Sequence, residues 1–154
     1  MAETVKIVDY FYAEVSDRPG EARRLIEHLS EKGVNLIAFS SFPSGEDKSQ
    51  LDFFPVDSKL LLSAANDSGI ELKGPKKALL VQGEDRIGAL YSHLLKLANV
   101  NVNVYASNGV NSGSGMYGYI IWVKQDEINK AMEALMNSET SGKFGTLRPG
   151  GMDW

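Results

Sequence analysis

Hydrophobic and polar positions alternate with two different periods along this chain, and the order of those periods repeats. Val5–Val15, VKIVDYFYAEV, is rich in β-branched and aromatic residues and predicts a strand. Beyond it, Ala22, Leu25, Ile26 and Leu29 fall at the i, i+3, i+4, i+7 spacing of one buried helix face. Pro19 suits the first helical position, and Gly33 suits a left-handed cap at the far end. Leu36–Phe42 and Gln50–Val56 predict two strands joined across the polar loop PSGEDKS. DSKLLLSAANDSG predicts a short helix capped by Asp57 or Ser58, and Ile70–Lys73 a short fourth strand.

The second half follows the same order. Ala78–Gln82 predicts a strand and Ile87–Ala98 a helix. Val102–Ser107 and Tyr117–Val123 predict a hairpin across NGVNSGSGM. Asp126–Met136 predicts a helix with Ile128, Ala131, Met132, Leu135 and Met136 on one face, and a last strand is expected within Gly142–Arg148. Shifted by 68 positions, Asp17, Arg18 and Gly20 fall on Asp85, Arg86 and Gly88, and Asn35 falls on Asn103. Apolar residues obey the same shift: Phe11 on Leu79, Ile26 on Leu94, Leu29 on Leu97 and Leu60 on Ile128. Matches at turns and core positions point to a duplicated βαββαβ unit.

Such a unit closes as an antiparallel sheet with two helices on one face, the ferredoxin-like arrangement. The expected fold class is therefore α+β, with two tandem units spanning 1–74 and 75–154. KGPKK at Lys73–Lys77 is the expected joint. Halves of about 70 residues would be marginal alone and gain by packing on each other or on a second chain.

Composition narrows the function. The chain has 154 residues, a net charge of −4 and no basic run longer than two residues, which argues against a nucleic-acid surface. It has no cysteine, so disulfides and thiolate metal sites are excluded. His28 is expected on a polar helix face and His93 facing inward, and no set of residues has metal or catalytic-triad spacing. No apolar run approaches a membrane span and the N-terminus lacks a signal pattern, so a cytoplasmic location is expected.

The Asp-Arg-Pro-Gly turn carries the candidate chemistry. First-turn N–H groups lack helical partners and the helix dipole is positive there, so the turn can hold one carboxylate. Gly20 lets a ligand approach the backbone, and Asp17 beside it can take an ammonium group. These two donors match the ends of a free amino acid. The same turn is also an ordinary strand-to-helix connection. Asn35 lies about 20 Å from Asp17 along a helix of about 13 residues. One unit therefore cannot bring both to one small ligand, whereas two units could join Asp17 to Asn103 and Asp85 to Asn35.

DRPGEARRLIEHLSEKGVNL resembles the ACT domain, a small βαββαβ regulatory module of amino-acid metabolism. DRIGALYSHLLKLANVNV resembles it less closely, lacking the proline and the second glycine. The resemblance implies a non-catalytic amino-acid sensor with ligands held between paired units, at Asp17, Arg18, Gly20, Asn35, Asp85, Arg86, Gly88 and Asn103. It implies no cofactor and no metal. It also implies a homodimer and a separate metabolic enzyme as possible partner. Val15 and Gly83 stand where serine-binding members often carry histidine, which argues against serine. Two alternatives stand beside this reading, the first an enzyme on the same fold. VQGEDR is similar to the phosphate loop of acylphosphatases, although Glu84 and Asp85 would repel the anion. A partner-docking module without ligand is the other.

Overall fold

A computed structural model describes residues 3–137. The strands are β1 (Thr4–Ser16), β2 (Leu36–Gly45), β3 (Lys48–Pro55), β4 (Lys73–Glu84), β5 (Ala106–Asn111) and β6 (Met116–Trp122). The helices are α1 (Glu21–Glu31), α2 (Ser58–Asp67), α3 (Ala89–Asn99) and α4 (Ile128–Met136), the last preceded by a 3-10 turn at Gln125–Glu127. All six strands form one sheet in the order β2-β3-β1-β4-β6-β5, and every neighbour pair is antiparallel. The α+β, ferredoxin-like class holds.

Alternation along the strands sorts side chains between two faces. Phe11, Ala13, Leu51 and Phe53 pack with Leu25, Leu29, Leu61 and Ala64 of α1 and α2. Leu79, Val81, Tyr119 and Ile121 pack with Leu97, Ile128, Ala131 and Leu135 from the α3 and α4 region. All four helices therefore cover one face. On the other face Tyr10, Phe54, Leu80, Ile120 and Trp122 are buried without a helix over them.

Curvature buries that second face. Strands β3 and β6 stand three spacings apart, about 14 Å in a flat sheet. Yet the rings of Phe54 and Trp122 meet at 5.8 Å, and Tyr10 stacks on Phe54 at 5.2 Å. The sheet folds toward itself along its middle strands. Its bend is visible in the β1–β4 ladder, where Tyr10 pairs with Lys76 but Tyr12 with Lys73. Two steps on β1 oppose three on β4, so Gly74–Pro75 is a bulge. Gly74 has φ 126°, and a Cβ there would lie 2.9 Å from the Tyr10 carbonyl oxygen.

Several sequence expectations are corrected here. Of the strand expected at Ile70–Lys73 only Lys73 is extended in a ladder; β4 runs on from there through the expected joint, which is its bulge, and through the strand expected at Ala78–Gln82. The first half of β1, Thr4–Asp9, lies beside the second half of β4. Val5 and Ile7 accordingly pack into the α3–α4 core, so β1 serves both halves. A strand expected within 142–148 lies outside the described residues. Strand β5 begins at Ala106 rather than Val102, because Val102 N–H returns to the Leu97 carbonyl and Asn101 takes a left-handed conformation (φ 55°). It then runs through Asn108–Asn111, expected as loop. Gly109 serves close packing: a Cβ there would lie 2.9 Å from Leu90 Cδ1. The β2–β3 loop shrinks likewise to Glu46–Asp47. Pro19 precedes α1 instead of opening it, since left-handed Gly20 (φ 93°) is its N-cap. His28 is half-buried and donates from Nε2 to the Ala64 carbonyl at 3.2 Å, joining α1 to α2.

Candidate functional site

The turn after β4 leads into α3 through Gly88, left-handed at φ 77°. A Cβ on Gly88 would meet nothing within 4 Å, so the backbone at the helix start stands open. Asp85, Arg86 and Gly88 line a cleft of about 360 Å³, whose wall is formed by Leu90, Tyr91, Val110 and Asn111. Asp85 is fixed twice: its N–H donates to the Gly115 carbonyl at 2.8 Å, and Asn111 Nδ2 donates to its carboxylate. Asn111 Oδ1 in turn accepts from Gly113 N–H at 2.6 Å. The β5–β6 turn is thereby tied to the β4–α3 turn.

A polar cluster backs the cleft. Arg86 lies 3.6 Å from Glu3 Oε2, and its guanidinium also reaches Ser92 Oγ at 3.4 Å. Tyr117 donates its hydroxyl hydrogen to Glu3 Oε2 at 2.5 Å. His93, fully buried, has Nε2 2.8 Å from that hydroxyl and 3.3 Å from Glu3 Oε2. Since Tyr117 donates to Glu3, its oxygen accepts from His93 Nε2–H. Nδ1 is then the bare nitrogen, and it has no partner. Burial holds the His93 pKa below its usual value, with Glu3 opposing and Lys96 and Arg86 adding to the depression. Burial and the bond to Glu3 push the Tyr117 pKa up. His93, Tyr117 and Glu3 were not among the expected site residues. Only the inward place of His93, opposite Leu25 in the repeat, hinted at them.

The turn after β1 differs. Asp17 N–H donates to the Asp47 carbonyl at 2.9 Å, and Asp17 Oδ1 accepts from Ser49 Oγ at 3.0 Å. Arg18 is 3.5 Å from Glu21, which also pairs with Arg24 at 3.4 Å. The nearby cleft of about 390 Å³ is lined by Glu14, Glu46, Asp47 and Lys48, a mostly acidic set, and by none of Asp17, Arg18 and Gly20. The closer sequence match thus sits at the less suited surface.

Asn35 and Asn103 precede β2 and β5. The Asn35 carbonyl accepts from Val56 N–H at 2.9 Å and anchors the start of the β2–β3 ladder. Neither asparagine lines one of the three clefts described. Ile37, two residues past Asn35, lines a third cleft that shares Val110 and Tyr117 with the Asp85 cleft. Among the described residues no cluster of His, Asp and Glu could hold a metal ion, and no helix is long and apolar enough to cross a membrane.

No protein-family profile and no curated relative matches the sequence. Solved structures do match. A protein from Bacteroides thetaiotaomicron superposes with a TM-score of 0.73 at 16% identity, over 85% of this chain and 88% of that one. The regulatory subunit of aspartate kinase from Thermus thermophilus superposes with a TM-score of 0.61 at 16% identity, over 86% and 93%. A structure of aspartokinase α and β subunits gives 0.60 at 13% identity, over 88% and 95%. Identities this low speak for architecture alone, and on that ground the chain has the ACT-type ferredoxin-like fold that its Asp-Arg-Pro-Gly turn and repeated pattern imply.

Proposed function

We propose that the protein is a non-catalytic regulator that binds a free amino acid in the Asp85–Arg86–Gly88 cleft. The observation that carries this is the placement of opposite charges beside an open helix start: Asp85, Arg86 and Gly88 line one cleft of about 360 Å³. Asp85 has oxygen lone pairs left beyond the Asn111 bond for an ammonium group. Arg86 is half-exposed and its contact with Glu3 is long, so its fork can turn to a carboxylate. The side chain of the ligand rests against Leu90 and Val110. Asn35 lines neither this cleft nor its neighbour, and joins the site from a second copy of the chain. Asp17, Arg18, Gly20 and Asn103 are the counterpart positions, but Arg18 is taken up by Glu21 and the adjoining surface is mostly acidic, so they hold no second amino acid. The chain divides functionally at Gly74 into halves 1–74 and 75–154, each giving part of a pocket.

The fold shared with aspartate kinase regulatory subunits favours regulation of a separate enzyme in the cytoplasm. The outermost strands β2 and β5 suit pairing with a second copy, giving a homodimer. Against acylphosphate cleavage stands Asp85 itself, whose carboxylate in the cleft would repel a phosphate. A thermal-shift screen against the twenty amino acids tests the reading. A rise in melting temperature with one or a few of them, lost in Asp85→Ala, is expected. No rise with any amino acid would favour a partner-docking module instead.

A further inference from the structure

The helix-free face holds a second cleft, of about 380 Å³, between the two outermost strands of the sheet. Ile37, Phe39 and Ser40 of β2 form one wall, Val110 of β5 stands opposite, and Leu80 and Ile120 lie between them. Its volume is that of an ordinary small-molecule pocket. Three features describe what fits it.

The lining carries no charge: among the described residues around it there is no Asp, Glu, Lys, Arg or His. A zwitterion placed there would meet only neutral groups, Ser40, Gln82, Asn108 and Ser112 among them, and find no counter-charge for either end, which is costly. The ligand of the Asp85 cleft therefore does not suit this one. Next, Ser40 is only 8% exposed, and its hydroxyl has no hydrogen-bond partner. A buried hydroxyl left unpaired costs free energy that a ligand group restores. Last, Gly118 lies in the middle of β6 in ordinary extended backbone, where glycine weakens a strand. A Cβ on Gly118 would meet nothing within 4 Å. Unlike Gly109, it is not there for protein packing. It keeps part of the cleft wall free of side chain.

We propose that this cleft is a binding site for a neutral, mostly apolar small molecule carrying one hydrogen-bonding group, such as a phenol or an aromatic alcohol. The ring lies against Ile37, Leu80 and Ile120, and the polar group meets Ser40 Oγ. Because β2 and β5 are opposite edges of the sheet, the bound molecule bridges them and holds the curled face shut. This site does not depend on amino-acid binding at Asp85.

The test is a titration of the full chain with p-cresol, followed by NMR of the isoleucine and leucine methyl groups. Saturable shifts at Ile37, Leu80 and Ile120 are expected. Ser40→Ala should weaken p-cresol roughly three- to tenfold, the value of one hydrogen bond, and leave toluene binding unchanged. Gly118→Leu should fill the cleft and abolish the shifts. Should that variant fail to fold, Asn108→Trp on the exposed edge strand narrows the same cleft and should weaken binding. Free tyrosine, with the same ring and two added charges, should leave these methyl signals in place. The proposal is overturned if p-cresol produces no saturable shift, if its binding survives in whichever cleft-filling variant folds, or if tyrosine matches p-cresol at these methyls.

Discussion

Phe54 and Trp122 meet edge to face, ring centroids 5.8 Å apart, although strands β1 and β4 stand between theirs in the sheet. Both are at least 95% buried, so their contact belongs to the seam where the helix-free face folds over. Phe54→Ala and Trp122→Ala should each lower stability by about 3–5 kcal/mol. A double-mutant cycle by urea unfolding should give a coupling of about 0.5–1.5 kcal/mol, the value of an aromatic pair beyond its area. Additive losses would mean that the face is open in solution.

Gly74 holds the bulge that lets β4 bend. Its φ of 126° is unfavourable for any residue with a Cβ, and the added atom would stand 2.9 Å from a backbone oxygen that cannot move aside cheaply. Gly74→Ala should therefore destabilise by about 2–3 kcal/mol. Gly20→Ala, with φ 93° but open space around it, should cost about 1 kcal/mol. Thermal or urea unfolding of the two variants side by side checks the order.

Much of this architecture was legible in the residues, and the misses have definite causes. Apolar periodicity placed all four helices, because Leu25/Leu29 and Leu97 mark faces that end up against the sheet. Strand ends were harder. Lys73–Lys77 reads as a polar joint, yet its backbone pairs with β1 and with Gln125, whose side-chain amide bonds both backbone groups of Lys77. Asn108–Asn111 reads as loop because glycine and asparagine are turn formers, whereas Gly109 is there to admit Leu90. At the candidate site the repeat singled out Asp85, Arg86 and Gly88, which line one cleft. It could not reveal Glu3, His93 and Tyr117 behind them. Glu3 lies 114 positions from Tyr117, and the pairing of β1 with β4 and of β4 with β6 brings them together.

His93 gives the fold an acid-sensitive point. Its pKa is depressed by burial, so the folded state favours the neutral ring. Above the ordinary histidine pKa of about 6.5 both states are neutral and its place in the core is fully stabilising. As pH falls below that value the unfolded chain takes up a proton that the folded one resists, and stability drops until the folded pKa is passed. Glu3, Tyr117, Arg86 and Lys96 all bear on this ring. His93→Leu, the residue found at the equivalent position 25, should remove this part of the pH dependence. Unfolding curves between pH 7.5 and 5 for wild type and variant measure it.

Asp52 works in the opposite sense. It is 1% exposed, accepts from Gln50 Nε2 at 2.7 Å, and has one oxygen without a partner. Burial raises its pKa, against the lowering effect of Gln50, Lys76 and Trp122. A carboxyl whose folded pKa is raised stabilises below its unfolded pKa of 3.8, and loses that contribution as pH rises through the folded value. Asp52→Asn keeps the shape and the acceptor for Gln50 while removing the charge. It should raise the melting temperature at pH 7 by roughly 3 °C, the shift that about 1 kcal/mol gives in a chain of this size. The gain should shrink toward pH 4. A lower melting temperature for Asp52→Asn at pH 7 would show that the charge is held by Lys76 and Trp122 after all.

The two turns, related by sequence, should differ in binding. After β4, Asp85, Arg86 and Gly88 share a cleft; after β1, Arg18 is taken up by Glu21 and the adjoining surface is mostly acidic. An amino acid brings a carboxylate to the helix start, and acidic neighbours oppose it. Titration calorimetry with whichever amino acid stabilises the chain should therefore give one site per chain rather than two. Asp85→Ala should remove about 1.5–3 kcal/mol of binding free energy, the range for a hydrogen bond to a charged group, which is roughly a ten- to hundredfold loss of affinity. Asp17→Ala should change affinity less than twofold. Equal losses from both substitutions, with two sites per chain, would show that the duplicated turns act as equivalent half-sites and that the asymmetry of their surroundings is without consequence for the ligand.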